Sequence, residues 1–528
     1  MGLPVEVNNL MMGAVGGYQV SRSLRFRSSA SAHLSRTAST TNQKTFTWSG
    51  WVKIGILSQT SPLMLGINGT TNGSQRTALY FDSNANLRVV DSAMQVGTNF
   101  DVTTTQVFRD PSAWYHIVVA IDTTQATASN RVKLYVNGVQ ITAFTTASYP
   151  SLNYNTAINN GNTQYISRWF DSSAGSAYAD WYLAEVNFID GQALTPSSFG
   201  ETDSITGVWN PKKYSGTYGT NGFYLNFSDN SGATATTIGK DYSGNGNNWT
   251  PNNISVTAGT TYDSMIDSPT PYADGGNGRG NYAVLNPLPK NGVQNGTYTT
   301  ATISNGNLLA TGGAINTTWT ACSSMVLPTT GKWYFEVTMS ATAYGNGAAG
   351  LFSLSNSSAN CYARLAVGVI LNGSTSYTYT GYNTGSTNRI GIAYDADNNK
   401  YWQTDVSGTW LNSKTPGVDT TGLVSGLTAA GDYVVGWFYN SGGESNLTAS
   451  VNFGQQPFSY TQPTGFKALN SYNLPAASIS NGAKHFAASL WTGDATTPKA
   501  VVSNLSFSPD FVWIKDRSVG YQHSLQDT

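Results

Sequence analysis

Between Trp114 and Ile141 the chain spells out two strands and a turn. Trp114, His116, Val118 and Ala120 alternate with Tyr115, Ile117, Val119 and Ile121, the period of two that marks an extended strand. After a polar loop, Val132, Leu134 and Val136 run into Asn137-Gly138, the dipeptide that supplies both positive-φ residues of a type I′ turn. Strands of this kind must bury a face against a second sheet, which points to an all-β architecture.

Composition agrees and excludes several function classes. The 528 residues exceed what one core normally serves, so several domains are expected. Charged residues make up 10% of the chain and 27 Lys+Arg face 28 Asp+Glu, so the clustered cations that phosphate contacts require are missing and nucleic acid is not an expected partner. No run is long and apolar enough to predict membrane insertion. The first residues carry Glu6 and no basic stretch, so no signal peptide is expected, and Glu6 stands where N-myristoylation would want Ser or Thr. Cys322 and Cys361 are the only cysteines, too few for a disulfide framework or a Cys-rich zinc site; they are ordinary thiols or, alternatively, a single bridge.

Residues 1–36 read as an N-terminal docking arm plus a first strand. Leu10, Met11, Met12 and Val15 offer adaptable apolar contact but cannot form a core, and Leu24 and Phe26 alternate with Arg25 and Arg27. Residues 37–280 are expected to form a first sandwich with a Gly/Asn-rich extension, ending in a linker at Ser268-Pro269-Thr270-Pro271. Within it, Ser83-Asn84 marks a hairpin, Tyr182, Ala184, Val186 and Phe188 are expected on one strand face, and Thr195-Pro196 reads as the N-cap and N1 of one helical turn. A second β-sandwich is expected over 281–470. Residues 471–528 are too few to close a third, and read as the start of a further β-domain or a subunit-packing segment.

The Trp114–Ile141 pattern resembles the laminin-G/concanavalin A-like jelly roll. Trp333-Tyr334-Phe335-Glu336, the strand Gly391 to Asp395 and the ending Val451 to Phe458 together resemble a SPRY-type sandwich. The phrase from Ile189 through Asp190-Gly191-Gln192 to Phe199-Gly200, with Pro509-Asp510-Phe511-Val512-Trp513 near the end, is similar to bacteriophage virion proteins of the tail-fibre or tail-appendage type. That resemblance implies a virion location after synthesis in host cytoplasm, docking to other virion or tail proteins through the arm, recognition of a host-surface glycan, and a homotrimer. Two alternatives are a head fibre or decoration protein, and a polysaccharide depolymerase.

A glycosidase on such a sandwich needs two carboxylates on one strand face, yet Glu185 stands alone and Asp395 and Asp397 fall in a turn. No Gly-x-Ser-x-Gly elbow accompanies His116, so a binding protein rather than an enzyme is expected. Candidate sugar-stacking aromatics are Tyr377, Tyr379 and Tyr382 in a Tyr-rich segment, and Trp169 with Phe170 in a loop-like one; a covered sheet face or subunit contact is the other reading. Laminin-G-like domains often hold a rim calcium ion, for which Asp82, Asn84, Asp171 and Asp180 are candidate oxygen donors, but no ligand spacing singles them out and turn chemistry is the favoured explanation. No cofactor is expected, and a metal site is left open.

Overall fold

A computed structural model describes residues 17–171, 175–287, 299–312, 319–340, 347–364, 369–373, 375–378, 387–439, 447–489, 491, 493, 505–516 and 519–527. The protein is all-β, with helical structure among the described residues confined to short 3-10 turns. None is a helix long and apolar enough to cross a membrane.

Two eight-stranded sheets form the first sandwich. One, called here the seam sheet, runs Val139–Gln140, Val132–Val136, Tyr115–Asp122, Thr45–Ile54, Trp181–Asp190, Ser23–Phe26, Ser264–Met265, with Phe223–Leu225 also paired to Trp181–Asp190. The other, the open sheet, runs Phe144–Ser148, Gly97–Val107, Asn86–Ala93, Gln75–Phe81, Ser61–Asn68, Thr163–Ile166, His33–Thr37, Thr250–Asn252. Phe46, Trp48, Val52, Ile117, Val119 and Leu134 from the seam sheet meet Leu79, Phe81, Val89 and Val102 from the open sheet in one apolar core. Asn137 and Gly138 adopt φ of 46° and 83°, as the turn reading requires. The turn at 82–85 joins two paired strands as expected, and Pro196–Ser198 is a 3-10 turn with Thr195 at its N-cap, though the Thr195 hydroxyl makes no capping bond.

One expectation about side-chain faces is corrected. Trp181–Asp190 carries a bulge between Ala184 and Asn187, where Glu185 sits at φ +52°. The extra residue reverses the alternation. Trp181 and Leu183 before it, and Val186 and Phe188 after it, face the sandwich core, whereas Tyr182 and Ala184 face the other way into a second core. Across the bulge lies Gly50, where a side chain would strike the Trp48 indole at 2.7 Å.

The second sandwich pairs two seven-stranded sheets, one through Lys332–Ser340, Thr387–Asp395 and Thr448–Asn452, the other through Trp319–Val326, Tyr433–Tyr439 and Gly347–Ser353. Among the described residues its strand-to-strand pairings are antiparallel except Thr299–Thr300 on Trp319–Val326, with isolated parallel bridges at Trp333–Lys467 and Pro416–Asp419. Glu336 turns outward beside Tyr334 and accepts the Ser459 and Tyr460 backbone N–H groups at 3.0 and 2.8 Å, while Phe458 packs edge-on to Tyr334. The aromatic motif and the 451–458 ending therefore belong together because one caps the other. Cys322 and Cys361 carry reduced thiols; their strands are separated by two others and they join different core clusters, which excludes the bridge. Beyond 471 the described residues hold a 3-10 turn, Gly482–Lys484, and one hairpin, Phe511–Ile514 with Ser524–Asp527, which leaves Phe511, Trp513 and Leu525 more than half exposed.

The 268–271 segment is not a linker. Ser268 and Thr270 are buried, the Thr270 hydroxyl accepts the Val20 N–H at 3.0 Å, and the Ser23 hydroxyl donates to the Asp267 carbonyl at 2.6 Å. Val20 is fully buried and Tyr18 is packed, so the end of the expected arm belongs to the fold; Leu10, Met11, Met12 and Val15 lie outside the described residues. At this seam the Lys53 ammonium meets the Asp267 carboxylate at 2.7 Å with both side chains wholly buried, and also donates to the Asn281 side chain and the Tyr282 carbonyl at 2.8 Å. Trp114 Nε1 donates to the other carboxylate oxygen at 2.9 Å. Burial works against both charges, lowering the Lys53 pKa and raising that of Asp267. Nearby, Asp263 takes Arg25 and Arg27 together. Asp180 accepts two successive N–H groups, of Asn305 and Gly306, from a second-sandwich turn in which residues 305, 306 and 307 all have positive φ.

Removing one member of a buried ion pair strands the other. Asp267→Asn is expected to cost about 3–5 kcal/mol, and Lys53→Met combined with Asp267→Asn to recover part of that loss. Denaturant unfolding of the three proteins checks this; equal midpoints for wild type and Asp267→Asn would contradict the assignment.

Candidate functional site

The outer face of the open sheet carries a cluster of aromatic side chains. A two-stranded hairpin, Arg168–Asp171 with Gly175–Tyr178, lies against it on Leu65, Ile67, Ala78, Tyr80 and Val90. Strand alternation splits the hairpin into two sets of side chains. Trp169 and Asp171 meet Arg76: its guanidinium lies 4.5 Å from the Trp169 ring centroid and 2.7 Å from the Asp171 carboxylate, while Tyr80 packs on Trp169 at 5.0 Å. Arg168, Phe170, Ser176 and Tyr178 form the other set. Here the Arg168 guanidinium stacks on Tyr165 at 4.6 Å and reaches Phe170 at 5.7 Å, while its Nε and Nη2 both donate to the Ser176 hydroxyl, at 3.1 and 3.0 Å. His33 completes the group, 5.4 Å from Tyr178 and 6.1 Å from Tyr165. Its Nδ1 donates to the Ser31 carbonyl, and burial first, with Arg168 adding, lowers its pKa from 6.5, so the imidazole is neutral at pH 7.

The structure thus places Trp169 and Phe170 on adjacent strand positions with opposite partners. Both are half-buried, and Trp169 is engaged by Arg76 and Tyr80. Tyr377 lies on Thr375–Thr378 in the second sandwich, packed against its core; it does not join them, and Tyr379 and Tyr382 lie outside the described residues. Sequence reading missed Tyr165, Arg168, Ser176 and Tyr178, although the short Ser-Ser-Ala-Gly stretch after Asp171 was a usable hairpin signal.

A second feature is a groove of about 500 Å³ beside the Asn137-Gly138 turn, lined by Thr105, Gln106, Asn137, Gln140 and Thr142 with Val139 and Ile141. Its size lies within the range of small-ligand sites. The crevice between the sandwiches beside Glu336 and Arg389 holds only about 20 Å³, roughly one water.

Two buried polar clusters lie under the seam sheet's outer face. Trp209 Nε1 donates to His116 Nδ1 at 3.0 Å, so the imidazole carries its proton on Nε2 and donates to the Ser49 hydroxyl at 2.9 Å. A base would need the reverse polarity. Burial also depresses the His116 pKa to about 3. Glu185 receives the Tyr224 hydroxyl at 2.6 Å, with Tyr18 bonded in turn to Tyr224; burial pushes its pKa from 4.5 to about 7.

Three of the four candidate calcium donors, Asp82, Asp171 and Asp180, have other partners. Asp82 accepts the Asn84 and Asn86 N–H groups as turn chemistry predicts, Asp171 pairs with Arg76, and Asp180 holds the 305–306 turn. Among the described residues no three His, Cys, Asp or Glu side chains gather as a metal site.

Residues 27–198 match the family model for the concanavalin A-like lectin/glucanases superfamily. No curated protein matches the chain. Similar solved structures include the native heptameric SAP-like pentraxin of Limulus polyphemus, at 14% identity and TM-score 0.25 over 34% of this chain and 80% of that one. Domains LG4-5 of the mouse laminin alpha1 chain align at 9% identity and TM-score 0.27 over 88% and 99%. The SPRY domain of human HERC1 aligns at 10% identity and TM-score 0.21 over 27% and 87%. At such low scores the family match is the finding that bears on function.

Because the folded pKa of Glu185 is raised, its contribution favours the fold below pH 4.5 and is lost as pH climbs to about 7. Glu185→Gln is expected to remove this slope, worth up to ~3 kcal/mol. Melting curves at pH 5 and pH 8 check it: the variant should gain on wild type at pH 8.

Proposed function

We propose that this chain is a bacteriophage tail-fibre or tail-appendage protein that recognises a glycan on the host surface. The observation that carries the glycan half is the match of residues 27–198 to a lectin/glucanase superfamily, on a sandwich whose open sheet presents Tyr165, Phe170 and Tyr178 around Arg168, with Trp169 half-buried on the opposite side of the same hairpin. Aromatic rings of this kind stack on the apolar faces of pyranoses. The virion half rests on the Ile189–Gly200 and Pro509–Trp513 phrases, and the N-terminal residues with Leu10, Met11, Met12 and Val15 would supply the contact to other virion proteins.

Binding without turnover is the favoured mode. One observation speaks for the depolymerase reading: a carboxyl with a pKa of about 7, as Glu185 has, suits a general acid. Against it, Glu185 is buried and bonded to tyrosine. The purified chain is expected to adsorb to host cells and to their extracted envelope polysaccharide without releasing reducing ends. Absence of adsorption removes the recognition role; sustained release that Glu185→Gln abolishes establishes the enzyme instead.

A trimer fits this role, since cyclic repetition multiplies weak sites by about 10² to 10⁴ in avidity. Mass measurement of the purified chain at micromolar concentration is expected to give three copies, and a stable monomer would contradict it.

A further inference from the structure

Three guanidinium groups lie on the outer face of the open sheet, and their charges are not treated alike. Arg76 is neutralised by Asp171 and Arg88 by Asp101. Arg168 forms no ion pair among the described residues, although it is only partly exposed and stacked between Tyr165 and Phe170. Its only hydrogen-bond partner among them is the Ser176 hydroxyl, which takes Nε and Nη2 from one side. That arrangement fixes the guanidinium plane and leaves the Nη1 donors, with the second Nη2 proton, as an end-on fork. A fork of this kind matches the two oxygens of a carboxylate, and a guanidinium already held by stacking and by one hydroxyl loses little freedom when it binds.

The surroundings favour a sugar as the carrier of that carboxylate. Tyr165, Phe170 and Tyr178 supply rings beside the cation, and among the described residues no carboxylate pairs with it, because Asp171 points to Arg76 on the other side of the hairpin. His33 is neutral and spends Nδ1 on the Ser31 carbonyl, which leaves Nε2 to accept from a sugar hydroxyl.

We propose that the Arg168 face binds a carboxylate-bearing glycan, with the acid on the Arg168 fork and the pyranose against Tyr165, Phe170 or Tyr178. This inference rests on the glycan-recognition reading above and narrows it to acidic polysaccharides.

The test measures binding of the full chain to three acidic polymers, polygalacturonate, alginate and polysialic acid. Methyl-esterified polygalacturonate serves as the uncharged counterpart of the same backbone, and polyphosphate as a non-sugar anion. Wild type is expected to bind at least one acidic polymer about tenfold or more tighter than the methyl ester and polyphosphate. Arg168→Gln should lose at least tenfold, Arg168→Lys should recover only part because an ammonium lacks the planar fork, and Arg109→Gln, which removes an exposed charge elsewhere, should change nothing. Melting temperatures equal to wild type establish that the variants fold. Equal binding to polygalacturonate and its ester, equal loss with Arg109→Gln, preference for polyphosphate, or binding to none of the acidic polymers overturns the proposal. If host envelope polysaccharide is still bound in that last case, only the acidic assignment fails; if it too is ignored, the recognition role fails with it.

Discussion

The contact between the Lys53 ammonium and the Asp267 carboxylate is the constraint on which the relation of the two sandwiches depends. Neither side chain reaches water, so each charge is tolerable only while the other is in place. Lys53 belongs to a strand in the middle of the seam sheet, Asp267 to the segment leaving that sheet, and the remaining ammonium protons go to Asn281 and Tyr282, where the second sandwich begins. Moving the sandwiches apart would therefore strip the ammonium of its Asn281 and Tyr282 acceptors as well as expose apolar surface. The same logic recurs at Asp263, shared by Arg25 and Arg27, and at Asp180, which holds the turn of the second sandwich by its backbone. In a chain with so few charges, these carboxylates are concentrated where two cores join.

The bulge at Glu185 is the local device that makes the join possible. A regular strand would have sent Tyr182, Ala184, Val186 and Phe188 to one side. By adding a residue, Trp181–Asp190 instead gives Trp181, Leu183, Val186 and Phe188 to its own sandwich and Tyr182 and Ala184 to the shared core. The Tyr182 hydroxyl then reaches the Gly306 carbonyl at 2.6 Å. Holding a glutamate at positive φ costs about 1–3 kcal/mol, and it persists because pairing on both sides of the bulge fixes the backbone.

Much of this architecture was legible because period-two alternation and turn chemistry are local. The Asn137-Gly138 turn, the 82–85 hairpin and the strands around Trp333 and Tyr394 follow from residues within a few positions of one another. What escaped was whatever depends on distant partners. The bulge has no local signature, since Ala184-Glu185-Val186 reads as an ordinary strand; Ser268 to Pro271 reads as a linker until Val20 and Ser23 are laid beside it. At the candidate site, Trp169 and Phe170 were visible as aromatics, but which of them faces a cation with no ion pair among the described residues depends on Arg76 and Ser176, far apart in sequence or across a hairpin.

The antiparallel contact of Ser23–Phe26 with Ser264–Met265 has a mechanical consequence. The chain enters and leaves the first sandwich at neighbouring points, and the Ser23 hydroxyl is tied directly to the Asp267 carbonyl. Tension applied between the residues before Ser23 and the second sandwich would pass through this short junction. The intervening strands, with the whole open sheet, form a closed loop that carries little of the load, so a tethered molecule could be pulled without bending the surface it presents.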